Sequence, residues 1–276
     1  MKNICASCRS VDVKNIIKVD NKKKPKWLEK TDYVQEFVNN VPLKIYKKNK
    51  ANMKLKINVG KSNKDKYILY WGAKSSSSIL IKDAKKAYGN FTNYGVTKVG
   101  KNGDVTLFFD CPQPYSTTEK GKNKRETFYR HLHFCLSNIS KTNWSSSIYT
   151  KIIICDMSLR ETMILHNKGV VVLINALPHS YYAKSHIPNS FNLYNKTIKK
   201  MSQNELFDWF SEVIETNYPK INKLIKKKKL SIYEIPIIVY CAHNKCDAGY
   251  LSAIELLKKG FVNLMDFKGG MKDYLN

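Results

Sequence analysis

Short runs in which every second residue is apolar dominate the chain between residues 52 and 155. In 52-NMKLKINV-59, Met53, Leu55, Ile57 and Val59 alternate with Lys54, Lys56 and Asn58, the period-two pattern of a half-buried strand. The runs 66-KYILYWG-72, 104-DVTLFF-109, 129-YRHLHFCL-136 and 148-IYTKIIIC-155 read as further strands. Polar, turn-forming stretches such as 62-SNKD-65 and 100-GKNGD-104 separate them. Short strands at this spacing predict an antiparallel β-sandwich.

After residue 156 the period changes. Ser158 and Glu161 form a capping box ahead of a helix that runs to about Asn167. The almost wholly apolar 170-VVVLINA-176 then has the composition of a strand buried on both faces of a parallel sheet. Ser202 and Glu205 repeat the capping signature, and Leu206, Phe210, Val213 and Ile214 share one face of the helix that follows. Strand-like runs 235-IPIIVYC-241 and 261-FVNLMDF-267 flank a helix over about residues 248–259. Strand–helix alternation predicts an α/β domain with a parallel sheet. The chain therefore divides into a loosely ordered basic segment (1–45), a β-sandwich domain (46–156) and an α/β domain (157–276).

Composition adds a compartment and a charge. The 276 residues, 43% of them apolar, have room for two cored domains. No apolar run is long enough to span a membrane, and the N-terminus lacks a secretory signal's apolar segment, so an intracellular, cytoplasmic location is the default. Seven scattered cysteines argue against a disulfide framework. Cys5 and Cys8 form a C-x-x-C pair with no second pair at zinc-finger spacing. The net charge of +26 comes almost entirely from lysine. Arginine would serve a nucleic-acid groove better through bidentate contacts, so runs such as 226-KKKK-229 read first as solvated faces. The field still attracts small anions and polyanions alike.

Candidate chemistry concentrates in 239-VYCAHNKCDAGYLSAIELLKKGF-261. Cys241 ends a strand and precedes a loop (Ala242, His243, Asn244, Lys245, Cys246, Asp247) that leads into a helix. Ligands of open α/β sheets bind at such strand ends. Amides and the positive end of the helix dipole there favour a thiolate and can hold an anion on its sulfur. Cys241 is equally compatible with a small apolar residue closing a buried strand.

The surrounding motifs weigh toward chemistry, because residues 158–276 resemble a rhodanese-like domain. The resemblance rests on 173-LINAL-177, 181-YYAKSHIPNSFNL-193, 240-YC-241, 253-AIELLKKGF-261 and 269-GG-270, in family order. It implies a thiosulfate-sulfurtransferase type of enzyme. Cys241 would take a sulfane sulfur from a small anionic donor, carry it as a cysteine persulfide and yield it to a thiol acceptor, with no cofactor. Amides of Ala242 to Asp247 would cradle the sulfur, and Lys245, the loop's one cation, is the candidate for binding the donor anion. Cys246 is a second loop thiol, able to resolve the persulfide or to serve as a structural helix-start residue. His243 could tune the thiolate, His186 reads as a structural hydrogen-bonder in the H-I-P turn, and His179 carries little signal. Asn175 and Leu177 stand where the family usually has Asp and Arg. Tyr240 precedes the cysteine and Asp247 stands where related phosphatases need Arg, which argues against phosphoryl transfer.

A second stretch is similar to intradiol ring-cleavage dioxygenases. Residues 88-YGNFTNYGVTKVGKNGDVTLFFDCPQPY-115, read with 130-RHLHF-134, match that family's strand and P-x-P-Y turn. Carried over, His131 and His133 would be metal ligands together with Tyr115 and either Tyr88 or Tyr94, holding iron or another metal in the sandwich. The residues alone say that His131 and His133, two apart on a strand, can chelate one ion, or can simply face solvent. Three functions therefore stand: sulfur transfer through Cys241, a catalytically inactive rhodanese-like binding module on a basic surface, and a metal-dependent, dioxygenase-like sandwich.

Overall fold

The computed structural model describes residues 17–18, 32–75, 79–118 and 125–276. Cys5, Cys8 and the lysine cluster at 22–26 lie outside them. The chain forms two compact units, residues 1–153 and 154–276. Among the described residues no helix is long and apolar enough to cross a membrane.

The first unit is built on antiparallel sheets. In chain order its elements are β1 (Ile17–Lys18), α1 (Asp32–Asn40), β2 (Met53–Asn58), β3 (Tyr67–Gly72), α2 (Ala84–Tyr88), β4 (Tyr94–Lys98), β5 (Asp104–Phe109), β6 (Tyr115–Thr118), β7 (Arg125–Phe128), β8 (His131–Leu136) and β9 (Tyr149–Ile152). Five strands pair in the order β1-β9-β8-β3-β4, while β2 with β5 and β6 with β7 form two-stranded sheets. All pairs are antiparallel. The β2–β5 register sets Leu55 opposite Leu107 and Ile57 opposite Val105, so the alternation read from the sequence becomes a cross-strand apolar face.

Helix α1 falls in the segment that composition alone leaves loosely ordered. Its Val34 and Val38, with Val41 just beyond, sit on one helical stripe and enter the core beside Trp71, Tyr88 and Phe91. Phe37 stacks on Phe91 with ring centroids 4.0 Å apart. Helix α2 starts where the Asp83 carboxylate accepts the Lys86 amide proton (2.8 Å) and ends at Gly89, leaving Tyr88 on its last turn.

The second unit contains β10 (Cys155–Asp156), α3 (Leu159–Asn167), β11 (Val172–Asn175), α4 (His179–Lys184), β12 (Phe191–Asn192), α5 (Asn195–Lys200), α6 (Gln203–Asn217), α7 (Pro219–Lys226), β13 (Ile237–Tyr240), α8 (Ala248–Lys258), β14 (Leu264–Phe267) and α9 (Gly270–Leu275). Its five strands pair in the order β10-β14-β13-β11-β12, all parallel. Both anticipated capping boxes form, at Ser158–Glu161 and Ser202–Glu205. Leu206, Phe210, Val213 and Ile214 are the buried face of α6. Strand β13 is central and buried throughout, which is why its sequence is unbroken apolar rather than alternating.

One expectation about cysteine fails. Cys111 and Cys155 each take part in a disulfide, whereas among the described residues Cys135, Cys241 and Cys246 are free. Scatter along the chain says nothing about proximity after folding, and that is where the composition argument broke.

Candidate functional site

Tyr240 closes β13, and its hydroxyl organises the rim of the second unit's sheet. It accepts the Ile187 amide proton at 3.0 Å and lies 2.7 Å from the Ser190 hydroxyl. The H-I-P turn is thereby tied to the residue that precedes Cys241. His186 stacks on Tyr182 (4.0 Å), and its Nδ1 lies 2.9 Å from the Tyr182 carbonyl, a structural role. Asn175, at the end of neighbouring β11, accepts the Leu177 amide proton on Oδ1 (2.9 Å), so the turn survives with Asn in place of an acid.

Cys241 follows directly at this sheet edge, 1% exposed. Its carbonyl accepts the Met271 amide proton (2.9 Å), and the Ala242 carbonyl accepts that of Lys272 (2.8 Å). Both bonds require the backbone of α9 to lie flat on the loop. Gly270 permits this: its φ of +61° is left-handed, and a Cβ there would run into the Cys241 carbonyl oxygen. The Gly269-Gly270 pair is thus the backstop that orients the Cys241 peptide.

The loop then folds over the sulfur. The Cys246 amide donates to the His243 carbonyl (2.9 Å) and the Lys245 amide to His243 Nδ1 (3.3 Å). The Cys241 thiol donates to the Cys246 carbonyl at 3.0 Å and faces the His243 carbonyl at 3.8 Å. One amide, that of Gly249 in the first turn of α8, donates back to the sulfur. Burial first, then the side-chain contact with Cys246, pushes the Cys241 thiol up to about 12, against the Gly249 amide and the His243 backbone contact. As the loop stands, the thiol is favoured over the thiolate. The Lys245 and Cys246 amides are spent on His243, and burial holds the proton on sulfur.

Ala242, His243, Asn244, Lys245 and Asp247 form the loop rim, with His243, Asn244, Lys245 and Asp247 exposed. Asp247 is the N-cap residue of α8 but makes no side-chain cap. Sequence reasoning passed over Asp266 and Asp156. They pair across β14 and β10, and Asp266 is pushed up to about 7 by burial and then by Asp156. Its carboxylate abuts Gly249, the residue whose amide meets the sulfur. An aspartate inside the apolar run 261-FVNLMDF-267 was the available signal.

The first unit brings a second group of side chains together. The Tyr88 hydroxyl lies 3.1 Å from the Tyr115 hydroxyl and 3.2 Å from His131 Nε2, which lies 3.2 Å from His133 Nε2. All four residues are buried, which overturns the reading of strand histidines facing solvent. Their positions follow from local structure. Tyr88 ends α2, Tyr115 opens β6, and His131 and His133 share one face of β8. Buried Arg130 donates to the Pro112 carbonyl (2.7 Å), which fixes the turn ahead of Tyr115. Tyr94 lies elsewhere, stacked on Tyr46 (4.7 Å), so Tyr88 completes the set.

The histidines are electronically prepared as lone-pair donors. His131 Nδ1 lies 2.6 Å from the Tyr129 carbonyl, which places the proton there and leaves Nε2 as the acceptor. His133 Nδ1 lies 2.8 Å from the Thr150 hydroxyl. Burial pushes His131 down to about 4 despite the Tyr129 bond, and burial, followed by the neighbouring His131, pushes His133 well below the ordinary range. Among the described residues no cluster of three or more His, Cys, Asp or Glu forms, so this convergence depends on its tyrosines.

Comparison with known proteins finds a family match in the second unit. The family model described as the rhodanese-like domain matches residues 159–276. No curated protein matches the chain. Among solved structures, the chain is similar to the human single-domain sulfurtransferase TSTD1, with 16% identity, 44% of this chain and 94% of that one covered, and a TM-score of 0.32. An uncharacterized protein from Saccharomyces cerevisiae is 22% identical over 44% of this chain and 91% of its own, with a TM-score of 0.32. The single-domain sulfurtransferase RDL2 of the same yeast is 11% identical over 45% and 89%, with a TM-score of 0.32.

Proposed function

Residues 159–276 form a rhodanese-like domain, and we propose that its reaction is sulfur transfer through Cys241. The observation that carries this reading is the place of the thiol. It sits at the carboxyl end of the central parallel strand, with the first turn of α8 donating an amide to its sulfur. The thiolate attacks the outer sulfur of a sulfane donor such as thiosulfate. A new S–S bond forms, the donor's S–S bond breaks, and sulfite leaves with the electron pair. The thiol's proton goes to solvent. An acceptor thiol then takes the outer sulfur from the persulfide and regenerates Cys241.

Because the thiol form is favoured as the loop stands, the donor has to turn loop amides onto the sulfur. Lys245, exposed between His243 and Cys246, supplies the positive charge that draws an anionic donor there. The test is incubation of the protein with thiosulfate followed by intact mass measurement. The wild type gains one sulfur atom and Cys241→Ser gains none. An equal gain in Cys241→Ser, or none in the wild type with thiosulfate or a persulfide donor, defeats the proposal.

A second reading applies to the first unit, and the four convergent atoms favour it. Two neutral imidazole nitrogens and two phenol oxygens, all within 3.2 Å of a neighbour in the set, are a suitable donor group for a transition metal. His131, His133, Tyr115 and Tyr88 would hold the ion, and Tyr129 and Thr150 would orient the two imidazoles from behind. A ferric ion so held supplies Lewis acidity and a visible tyrosinate absorption. Metal analysis of purified protein should find about one ion per chain, reduced at least tenfold in His131→Ala/His133→Ala. Equal metal content in both proteins overturns the reading.

A further inference from the structure

We infer that Cys246 is the residue that discharges the Cys241 persulfide, releasing sulfide and leaving a Cys241–Cys246 disulfide. The inference rests on the sulfur-transfer reading and assigns a further reacting residue and a reductant class to that site. Its basis is the way the loop folds. The turn closed by the Cys246 amide on the His243 carbonyl carries Cys246 back over the strand end. There the Cys246 carbonyl accepts the Cys241 thiol proton at 3.0 Å, which sets the residue that carries the second thiol directly against the first. Cys241 is 1% exposed, whereas Cys246 is partly exposed. A thiol arriving from solvent must reach past the loop, but Cys246 already lies against the sulfur through its backbone. Well-aligned intramolecular groups react with effective molarities of about 10⁵ M or more.

The chemistry balances without an added oxidant. The Cys246 thiolate, its proton lost to solvent, attacks Cys241 Sγ. The Sγ–Sγ bond forms and the persulfide S–S bond breaks. Its electron pair leaves on the outer sulfur as hydrosulfide. The sulfane sulfur is reduced by two electrons, and the two cysteine sulfurs together supply them. A dithiol reductant then reopens the disulfide by thiol–disulfide exchange. The overall consumer of this site's product is therefore a reaction that uses free sulfide, and the required partner is a dithiol. A monothiol acceptor that lifts off the outer sulfur directly is the competing route.

The test uses the full chain, limiting thiosulfate and no reductant, with acid quenching at intervals. Trypsin cleaves after Lys245, so the disulfide would join the peptide ending at Lys245 to the one beginning at Cys246. In the wild type the sulfur adduct should give way to this cross-link with one sulfide released per cross-link, and a dithiol should restore both thiols. In Cys246→Ser, and in Cys246→Ala as a second variant, the adduct should persist about tenfold longer or more, with no sulfide released. If the wild type keeps its adduct as long as both variants, Cys246 has no such role while sulfur transfer stands. If no protein gains sulfur, both readings fall together.

Discussion

Burial and the Cys246 side chain outweigh the backbone contacts from Gly249 and His243 at the Cys241 sulfur, and this balance governs how the residue responds to pH. Carbonyls accept a proton's hydrogen bond and repel a thiolate, whereas the amide does the reverse. Burial is the largest influence, so the neutral form wins and the thiol is pushed up to about 12. The sign for reactivity follows. The thiolate is the nucleophile, and well below the titration point its fraction rises about tenfold per pH unit. Alkylation of Cys241 by iodoacetamide in the free protein should therefore accelerate about tenfold for each unit between pH 7 and pH 10, without levelling off. The measurement is peptide-resolved, since cleavage after Lys245 separates Cys241 from Cys246. A plateau near neutral pH would mean that the free loop already points amides at the sulfur, contrary to the bonds described for Lys245 and Cys246. Asp266 belongs to the same balance, because a carboxylate against Gly249 opposes negative charge on the sulfur that Gly249 serves.

At the scale of elements, what was legible in the sequence is what depends on local period. Apolar runs bounded by turn-forming stretches placed β2, β3, β5, β8 and β9 to within a few residues, and serine–glutamate spacing placed the starts of α3 and α6. The unbroken apolar run of β13 identified a central strand, and with it the position of Cys241. Elements whose identity depends on distant partners were harder to read. The stripe Val34, Phe37, Val38 and Val41 spans barely two turns inside a basic segment, and only the aromatic core it meets makes it a helix. Strand β4, YGVTK, carries a glycine that weakens any local signal, yet that glycine is needed because Tyr70 packs against its Cα. The Tyr88–Tyr115–His131–His133 group required three elements to be brought together across more than forty residues. The loop of Cys241 is the opposite case: its location was readable, but its amide directions were not. They are set by His243, by Gly270 and by the α9 amides that hold the Cys241 and Ala242 carbonyls.

The two chemistries proposed for the molecule rest on two separate cores. One core gathers Trp71, Tyr88, Phe91 and Tyr115 in the first unit, and the other surrounds Ile237–Tyr240 in the second. A ligand stabilises the folded unit that binds it by mass action, about 2.7 kcal/mol when its free concentration is a hundredfold above Kd. Tyr88, Tyr115, His131 and His133 all belong to the first unit, so a metal bound there should act on that unit's unfolding alone. Calorimetry of the full chain with ferric or zinc ion should show the first unit's transition raised by several degrees and the second unchanged. A chelator should reverse the shift, and the amount of sulfur taken up by Cys241 should stay the same throughout. Trp71 and Trp144 report on the first unit and Trp209 on the second, so fluorescence can help assign the transitions. Equal movement of both transitions would mean that the units unfold as one, and no movement at any metal concentration would mean that the four side chains bind no metal. The first outcome would refute independent cores. The second would leave the tyrosines and histidines as a buried hydrogen-bond network.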